Sequence, residues 1–337
     1  MKKTEEKICP GMKNSVGGQA VIEGVMMKSK THCAIAVRKT DGSIAVESKP
    51  IKTSKKMQTV KKIPVIRGLV NMVSTLKLSM DTITKSTEML GIEEEPSKFE
   101  KWLEKKCGKS LMNVVSAISV VLGLLLSVGL FIYLPTIVAD LIHPVFGLDE
   151  STYGSNLVYS LLRGIVRIII FIVYLVLVSL WKDMYRVFQY HGSEHMSIFA
   201  FENGEELTVE NVKKYKRFHP RCGTSFLVVM MIISILIMSL VPWNLIATGT
   251  LGSIYRTLIS LAVLPLIVGI GYEFIMFAGK HSENIIVKIL SAPGLWVQRI
   301  TTKQPDDSML EVAIASLKAS MPDLYPEKAD VAEEAEQ

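Results

Sequence analysis

Residues 157–195 read LVYSLLRGIVRIIIFIVYLVLVSLWKDMYRVFQYHGSEH. The apolar run Leu157–Trp181 is longer than the roughly 20 residues that a helix needs to cross a bilayer. Beyond Trp181 the pattern changes. Trp181, Met184, Phe188, His191, His195 and Phe199 recur at three- and four-residue steps, the spacing of one apolar helical face. His191 and His195 therefore share that face, about 5–6 Å apart at Cβ, a workable bite for one divalent metal. With Glu194 between them they form H-x-x-E-H, the order found in inverzincins, where the glutamate activates water. Burying two imidazoles without partners costs free energy, which favours a ligand role over two histidines bonded locally at a membrane surface.

Three further apolar stretches are long enough to span: Leu111–Leu134, Phe226–Ile246 and Ile254–Ala278. The charges between them are one-sided. Lys98, Lys101, Lys105, Lys106 and Lys109 precede the first, and residues 182–225 carry Lys182, Arg186, Lys213, Lys214, Lys216, Arg217 and Arg221. Lys280, Lys288, Arg299 and Lys303 come after the last, whereas the charged side chains of residues 135–156 are all acids. By the positive-inside rule both termini and the 182–225 connection are cytosolic.

Composition agrees with a mixed membrane and aqueous chain. Of 337 residues 49% are hydrophobic and 21% charged, with a mean hydropathy of +0.33. The four cysteines (Cys9, Cys33, Cys107 and Cys222) form no C-x-x-C pair, which suits reduced, cytosol-facing segments. No hydrophobic leader comes after Met1. The net charge of +6 calls for no nucleic acid; an anionic lipid bilayer accounts for it equally well.

The expected fold class is an α-helical membrane protein with four transmembrane helices, a small cytosolic β-rich N-terminal module and a helical C-terminal segment. Residues 1–64 form the β-rich module: a strand over Ala20–Met27, then a hairpin of His32–Arg38 and Ser43–Lys49 around Thr40-Asp41-Gly42. Residues 65–110 hold an amphipathic helix, Val65–Leu90, and a basic linker; the helix packs on the module or lies along the membrane. Residues 111–278 are the four-helix membrane domain with 182–225 as its cytosolic insertion. Residues 279–325 are a cytosolic C-terminal segment, in which Ala292-Pro293-Gly294 marks a turn and Ser308-Met309-Leu310-Glu311 opens a helix as a capping box. Residues 326–337 are a disordered tail.

Other residues bear chemistry. In His219-Pro220-Arg221-Cys222, His219 and Cys222 are competent zinc ligands, and Arg221 suits the headgroup level. A helix-entry turn explains Pro220 and Thr224 but neither His219 nor Cys222. Glu273 is an intramembrane carboxylate, so it needs a cation, water or protein around it; a metal on the histidines, or Arg221, are its expected partners. Arg167 lies within the second span and needs a partner or a wet recess, with Asp140 the expected one. The glycines of Gly17–Met27 indicate close backbone approach, and Glu23 is an acid within that stretch.

The stretches Gly17–Met27, His191–His195, His219–Phe226 and Gln298–Asp306 resemble the bacterial YqhQ family, over nearly the whole chain from Ser15 to Ser320. The resemblance implies a multi-spanning inner-membrane protein of a group catalogued as predicted metal-dependent enzymes. It supplies no reaction or substrate. The family motif usually has alanine before the glutamate and lysine after the second histidine; Ser193 and Met196 stand there in this chain.

Two functions remain open at this point. One is a membrane-embedded metal-dependent hydrolase with zinc as the expected metal: His191, His195 and one of His219, Cys222 or Glu273 as ligands, Glu194 or Glu273 as base, and a lipid-linked or membrane-protein substrate. The other is a scaffold, assembly factor or transporter with a structural or regulatory metal site, for which Arg167 and Glu273 line a pathway.

Overall fold

The structure is a computed structural model, and it describes residues 16–51, 60, 62–91, 109–147, 152–220, 222–243, 249–281 and 284–326. The basic run before the first span, Arg221, Asp149, Glu150 and the acidic tail from Glu327 onward lie outside the described residues.

The chain starts with a four-stranded antiparallel meander, β1 (Gly17–Val21), β2 (Gly24–Lys28), β3 (His32–Arg38) and β4 (Ile44–Pro50), in the order β1-β2-β3-β4. The single strand expected over Ala20–Met27 is two strands. Val21 pairs with Gly24, so Ile22-Glu23 is a two-residue turn with Glu23 at φ 50°. The expected β3–β4 hairpin forms, turning at Gly42 with φ 87°.

α1 (Ile66–Leu90) comes next. After it α2 (Lys109–Val128) runs through a π-helical turn, Gly129–Tyr133, into α3 (Leu134–Ile142). α4 (Tyr153–Ser179) is capped by Thr152, whose side chain accepts from the Ser155 N–H. Then come α5 (Lys182–Glu202), the single turn α6 (Val209–Val212), α7 (Gly223–Met238), α8 (Gly249–Lys280), α9 (Ile285–Thr301) and α10 (Asp307–Ala319).

Three stretches are long and apolar enough to cross a membrane: Ile118–Phe146, Tyr153–Ser179 and Leu251–Ala278. Their large side chains stay exposed, Leu124 at 64%, Leu126 at 72% and Ile165 at 54%, a lipid-facing surface that water would penalise. The fourth expected span is shorter than its apolar run. α7 has 16 residues, about 24 Å at 1.5 Å per residue, against a hydrocarbon core of about 30 Å. It stops at Met238, where Pro242 has no N–H to give the Met238 carbonyl four residues back and Trp243 folds back beneath the helix end. The Trp243 indole donates to the Met238 carbonyl at 2.9 Å and to Ser160 at 3.0 Å.

α7 is packed among α4, α8 and α9. The turn expected at Ala292–Gly294 is absent, because α9 runs straight through Pro293. A Cβ on Gly294 would lie 2.7 Å from Ser225 Cβ, so glycine lets α9 press against α7.

α1 packs on the module, one of the two placements expected of it, and also against α8. Ser79 donates to Gln19 of β1 at 2.5 Å, and Lys85 pairs with Glu47 of β4 at 3.2 Å. At its other end, Asn71 donates to Tyr272 of α8 at 2.8 Å.

One hydrophobic core unites parts far apart in sequence: Val25, Met27 and Ala36 of the sheet, Tyr190, Met196, Ile198 and Phe201 of α5, and Met309, Leu310 and Leu317 of α10. α10 is capped earlier than expected. Asp306, not Ser308, accepts from the Met309 N–H at 2.9 Å, and Ser308 donates to Asp306. Asp306 carries the stronger acceptor, a full negative charge at the helix N-terminus.

Candidate metal centre

α5 presents H-x-x-E-H toward two segments: residues 217–222, which lead into α7, and the end of α9. His191, His195 and Cys222 each offer one ligand atom, and these atoms all lie within 4.8 Å of one another. The imidazole rings of His191 and His195 are 4.4 Å apart at their centroids, and His191 Nε2 is 3.1 Å from Cys222 Sγ.

The other nitrogens decide the tautomers. His191 Nδ1 is 2.8 Å from the Thr301 carbonyl, and His195 Nδ1 is 2.5 Å from the Arg217 carbonyl. A carbonyl only accepts, so each Nδ1 carries the proton and each neutral ring keeps a bare lone pair at Nε2. Metal-binding histidines are oriented in this way, with the second nitrogen donating to a carbonyl or carboxylate. Across a tetrahedral zinc the nitrogen and sulfur ligands stand about 3.6 Å apart. His191 and Cys222 need open by only about 0.5 Å to reach that separation.

His219 stands next to the cluster without closing it. Its ring is 5.5 Å from that of His195, and its Nε2 faces Glu202 at 3.7 Å. Its backbone is held from both sides by Gln298, which accepts from the His219 N–H and donates to the His219 carbonyl, each at 2.7 Å. Gln298 has 0% exposure. Its role left one trace in the sequence, a lone amide in α9 between Val297 and Arg299.

Two glycines let the backbone close around the histidine turn. A Cβ on Gly192 would lie 2.2 Å from the Lys303 carbonyl oxygen, where the segment leaving α9 crosses α5. That crossing is fastened by the Lys303 N–H to the Phe188 carbonyl at 2.8 Å and by Gln189 to the Gln304 carbonyl at 2.9 Å. A Cβ on Gly18 would meet Glu194 Cγ at 2.8 Å, so β1 lies directly over the glutamate.

Glu194 is 5% exposed. Burial pushes its carboxyl from the ordinary 4.5 up to about 7, against the opposing pull of His191 and of a hydrogen bond from the Gly18 N–H.

The remaining expected site residues serve other contacts. Glu273 is turned away from the histidines and bound by Arg67: the Arg67 Nε donates to Oε1 at 2.7 Å, a second guanidinium N–H reaches Oε2, and the Val65 N–H adds a bond at 3.1 Å. Sequence alone could not supply this pairing, because Arg67 is one of many basic residues and precedes Glu273 by most of the chain. Glu23 accepts a two-pronged bond from Arg186 of α5, at 2.5 Å on each oxygen, and one from the Tyr190 hydroxyl at 3.3 Å. It therefore anchors the β1–β2 turn to α5. Arg167 does not meet Asp140. It donates to Ser234 at 2.8 Å, while Asp140 takes Arg256, Ser253 and, at 2.8 Å, Tyr159.

The sequence pattern of a family described as "Protein of unknown function (DUF1385)" matches residues 63–323. The chain is also 34% identical over 300 residues to "Uncharacterized protein YqhQ" of Bacillus subtilis (strain 168), covering 89% of this chain and 90% of that protein. The chain belongs to the YqhQ family. No solved structure matches it. The matched region of the YqhQ-family chain contains every ligand, carbonyl and amide of the cluster, from His191 to Thr301. Gly18 and Glu23, which cover α5, lie N-terminal to the matched residues 63–323.

Proposed function

We propose that this protein is a membrane-embedded, metal-dependent hydrolase whose His191, His195 and Cys222 bind one zinc-class divalent cation. The convergence of these three donors, with both Nδ1 atoms committed to carbonyls, is the observation that supports this. Three protein ligands leave a tetrahedral ion one position for water, as in catalytic zinc sites. The cation's chemical contribution is a lowered pKa of that water. Glu194 is the proton acceptor: it sits on the same helical turn as the histidines and has a proton affinity near neutrality. His219 and Gln298 hold the 217–222 segment, and hence Cys222, against α5 and α9.

The same reading takes the chain as an inner-membrane protein with both termini cytosolic. One-sided Lys and Arg and the lack of a C-x-x-C pair support it. On this reading α7 completes a four-helix membrane bundle and the centre lies at the cytosolic membrane face, which the place of Cys222 as the N-cap residue of α7 supports. A lipid-linked or membrane-protein substrate is the class that such a location admits.

A second reading rests on burial. His195 and Cys222 are 2% and 9% exposed, and a closed site suits a scaffold or transporter with structural metal.

One experiment addresses both. Full-length protein purified in detergent is assayed for metal by mass spectrometry, as wild type and as His191→Ala, His195→Ala, Cys222→Ala and His219→Ala. About one ion per chain is expected in wild type and His219→Ala, and a loss in the other three. Metal near zero in every sample refutes the centre. In cobalt-substituted protein, an azide-induced change in the visible spectrum indicates an open position; an inert spectrum favours the structural reading.

A further inference from the structure

A second cluster of charge lies inside the bundle, away from the histidines. Tyr159, Arg163 and Arg167 recur every four residues on α4 and so stack on one face. Arg163 is 2% exposed; its guanidinium lies 4.5 Å from the Trp243 ring and donates to Ser260 at 3.4 Å. Arg256 of α8 pairs with Asp140. Among the described residues Asp140 is the carboxylate paired with this group, so three arginines share one acid. Among the described residues, the hydrogen-bond and ring partners of Arg163 and Arg167 are hydroxyls and aromatic faces. Arg167 spends one Nη on Ser234, and its buried Nε has no partner among the described residues. Cationic side chains within a bilayer are costly and are kept where they meet a counter-charge or a functional pathway.

Arg167 also borders a cavity of about 380 Å³. Its polar lining is Arg167, Ser234 and Ser260; the rest is apolar, including Phe131, Met231 and Leu264. The lining runs along α7 from Phe226 to Ser234 and along α8 from Ser260 to Val268. A helical rise over that many residues makes a slot about 12 Å long. The two serines and the guanidinium lie together at one end, and apolar side chains line the other. A guanidinium bordering such a slot is a donor that binds an oxyanion through charge-assisted hydrogen bonds.

We propose that this slot binds a long-chain amphiphile with an oxyanion head, carboxylate or phosphate, its chain between α4, α7 and α8 and its head on Arg167, Ser234 and Ser260. Charge complementarity selects the occupant. An uncharged chain leaves the part-buried Arg167 cation at the end of the slot without a counter-charge, and a small anion leaves the apolar slot unfilled.

The test uses full-length protein in nanodiscs of zwitterionic lipid, with cis-parinaric acid as a fluorescent long-chain carboxylate. Saturable binding is expected, displaced by palmitate and by hexadecyl phosphate, with hexadecanol at least about tenfold weaker as a competitor. The stronger displacer of the two anions identifies the head. Arg167→Gln should weaken binding about 10- to 100-fold, the loss of one or two charge-assisted hydrogen bonds. Leu264→Trp, which fills the slot and leaves the arginine in place, should abolish it. Non-saturable binding, equal competition by hexadecanol, or wild-type affinity in Arg167→Gln overturns the proposal. Should Arg167→Gln fail to purify as a monodisperse species, the hexadecanol and Leu264→Trp arms decide alone.

Discussion

Gly192→Ala is the smallest change that tests how the centre is held. The added methyl would sit 2.2 Å from the Lys303 carbonyl oxygen and 3.3 Å from Pro305 Cδ. Ordinary contact begins near 3.4 Å, so α5 and the segment after α9 must part by about 1 Å, an overpacking cost of about 1–3 kcal/mol. The displaced segment begins directly after Thr301, whose carbonyl holds His191 Nδ1 at 2.8 Å. Lengthening that bond by the full displacement takes it to about 3.8 Å, beyond hydrogen-bond range, and frees the ring to rotate away from Cys222. Loss of such an orienting partner typically weakens metal binding about 10- to 100-fold. The assay is a zinc competition titration against a chromophoric chelator, run beside a thermal melt of the metal-free protein. Gly192→Ala should lower both zinc affinity and melting temperature. A variant that melts lower but binds zinc as wild type would show that the Thr301 carbonyl does not set the His191 geometry, and the reasoning would fail.

Two further outcomes are expected. In metal-free protein the folded Glu194 carboxyl keeps its proton up to about 7, whereas the unfolded one releases it near 4.5; the folded state binds more protons between those values, so stability falls as pH rises through that window and levels off above it. Glu194→Gln should remove that contribution, about 3.5 kcal/mol at about 1.4 kcal/mol per tenfold in proton affinity, and a variant whose melting temperature falls between pH 4.5 and 7 as steeply as the wild type's would contradict the assignment. Glu273→Gln should lower the melting temperature by loosening α1 from α8, yet leave zinc stoichiometry unchanged; loss of metal would restore Glu273 to the centre.

Legibility tracks the range of the interaction that decides each feature. The β3–β4 hairpin, α1 and the shared face of His191 and His195 depend on periodicity within a few residues, and all three are readable in the chain. Cys222 is readable as a ligand type, though its preference over His219 is not. That preference depends on Glu202 and Gln298, which reach His219 from two other helices. The run Phe226–Ile246 reads as longer than the helix it forms, because hydropathy measures apolar length and is blind to the fold-back of Trp243 onto Ser160. Asp140 and Arg167 are wrongly paired by sequence because both lie among apolar residues, and Arg256, the competitor that takes Asp140, looks like one more charge at a span end.

The two glutamates that the sequence leaves as rival bases differ in what a base needs, an oxygen free to take a proton. Glu273 commits both oxygens to the Arg67 guanidinium in a two-pronged pair. Among the described residues no guanidinium pairs with Glu194; burial raises its proton affinity instead. That burial depends on β1, since Gly18 lies against Glu194 Cγ and its N–H donates to the carboxylate. β1 is in turn fixed to α5 through Glu23 and Arg186 at the adjoining turn, and to α1 through Gln19 and Ser79. The glycine-led N-terminal strand thus does more than complete a sheet. It excludes water from the carboxylate beside the histidines, so the proton affinity of Glu194 is set by how tightly that strand is docked.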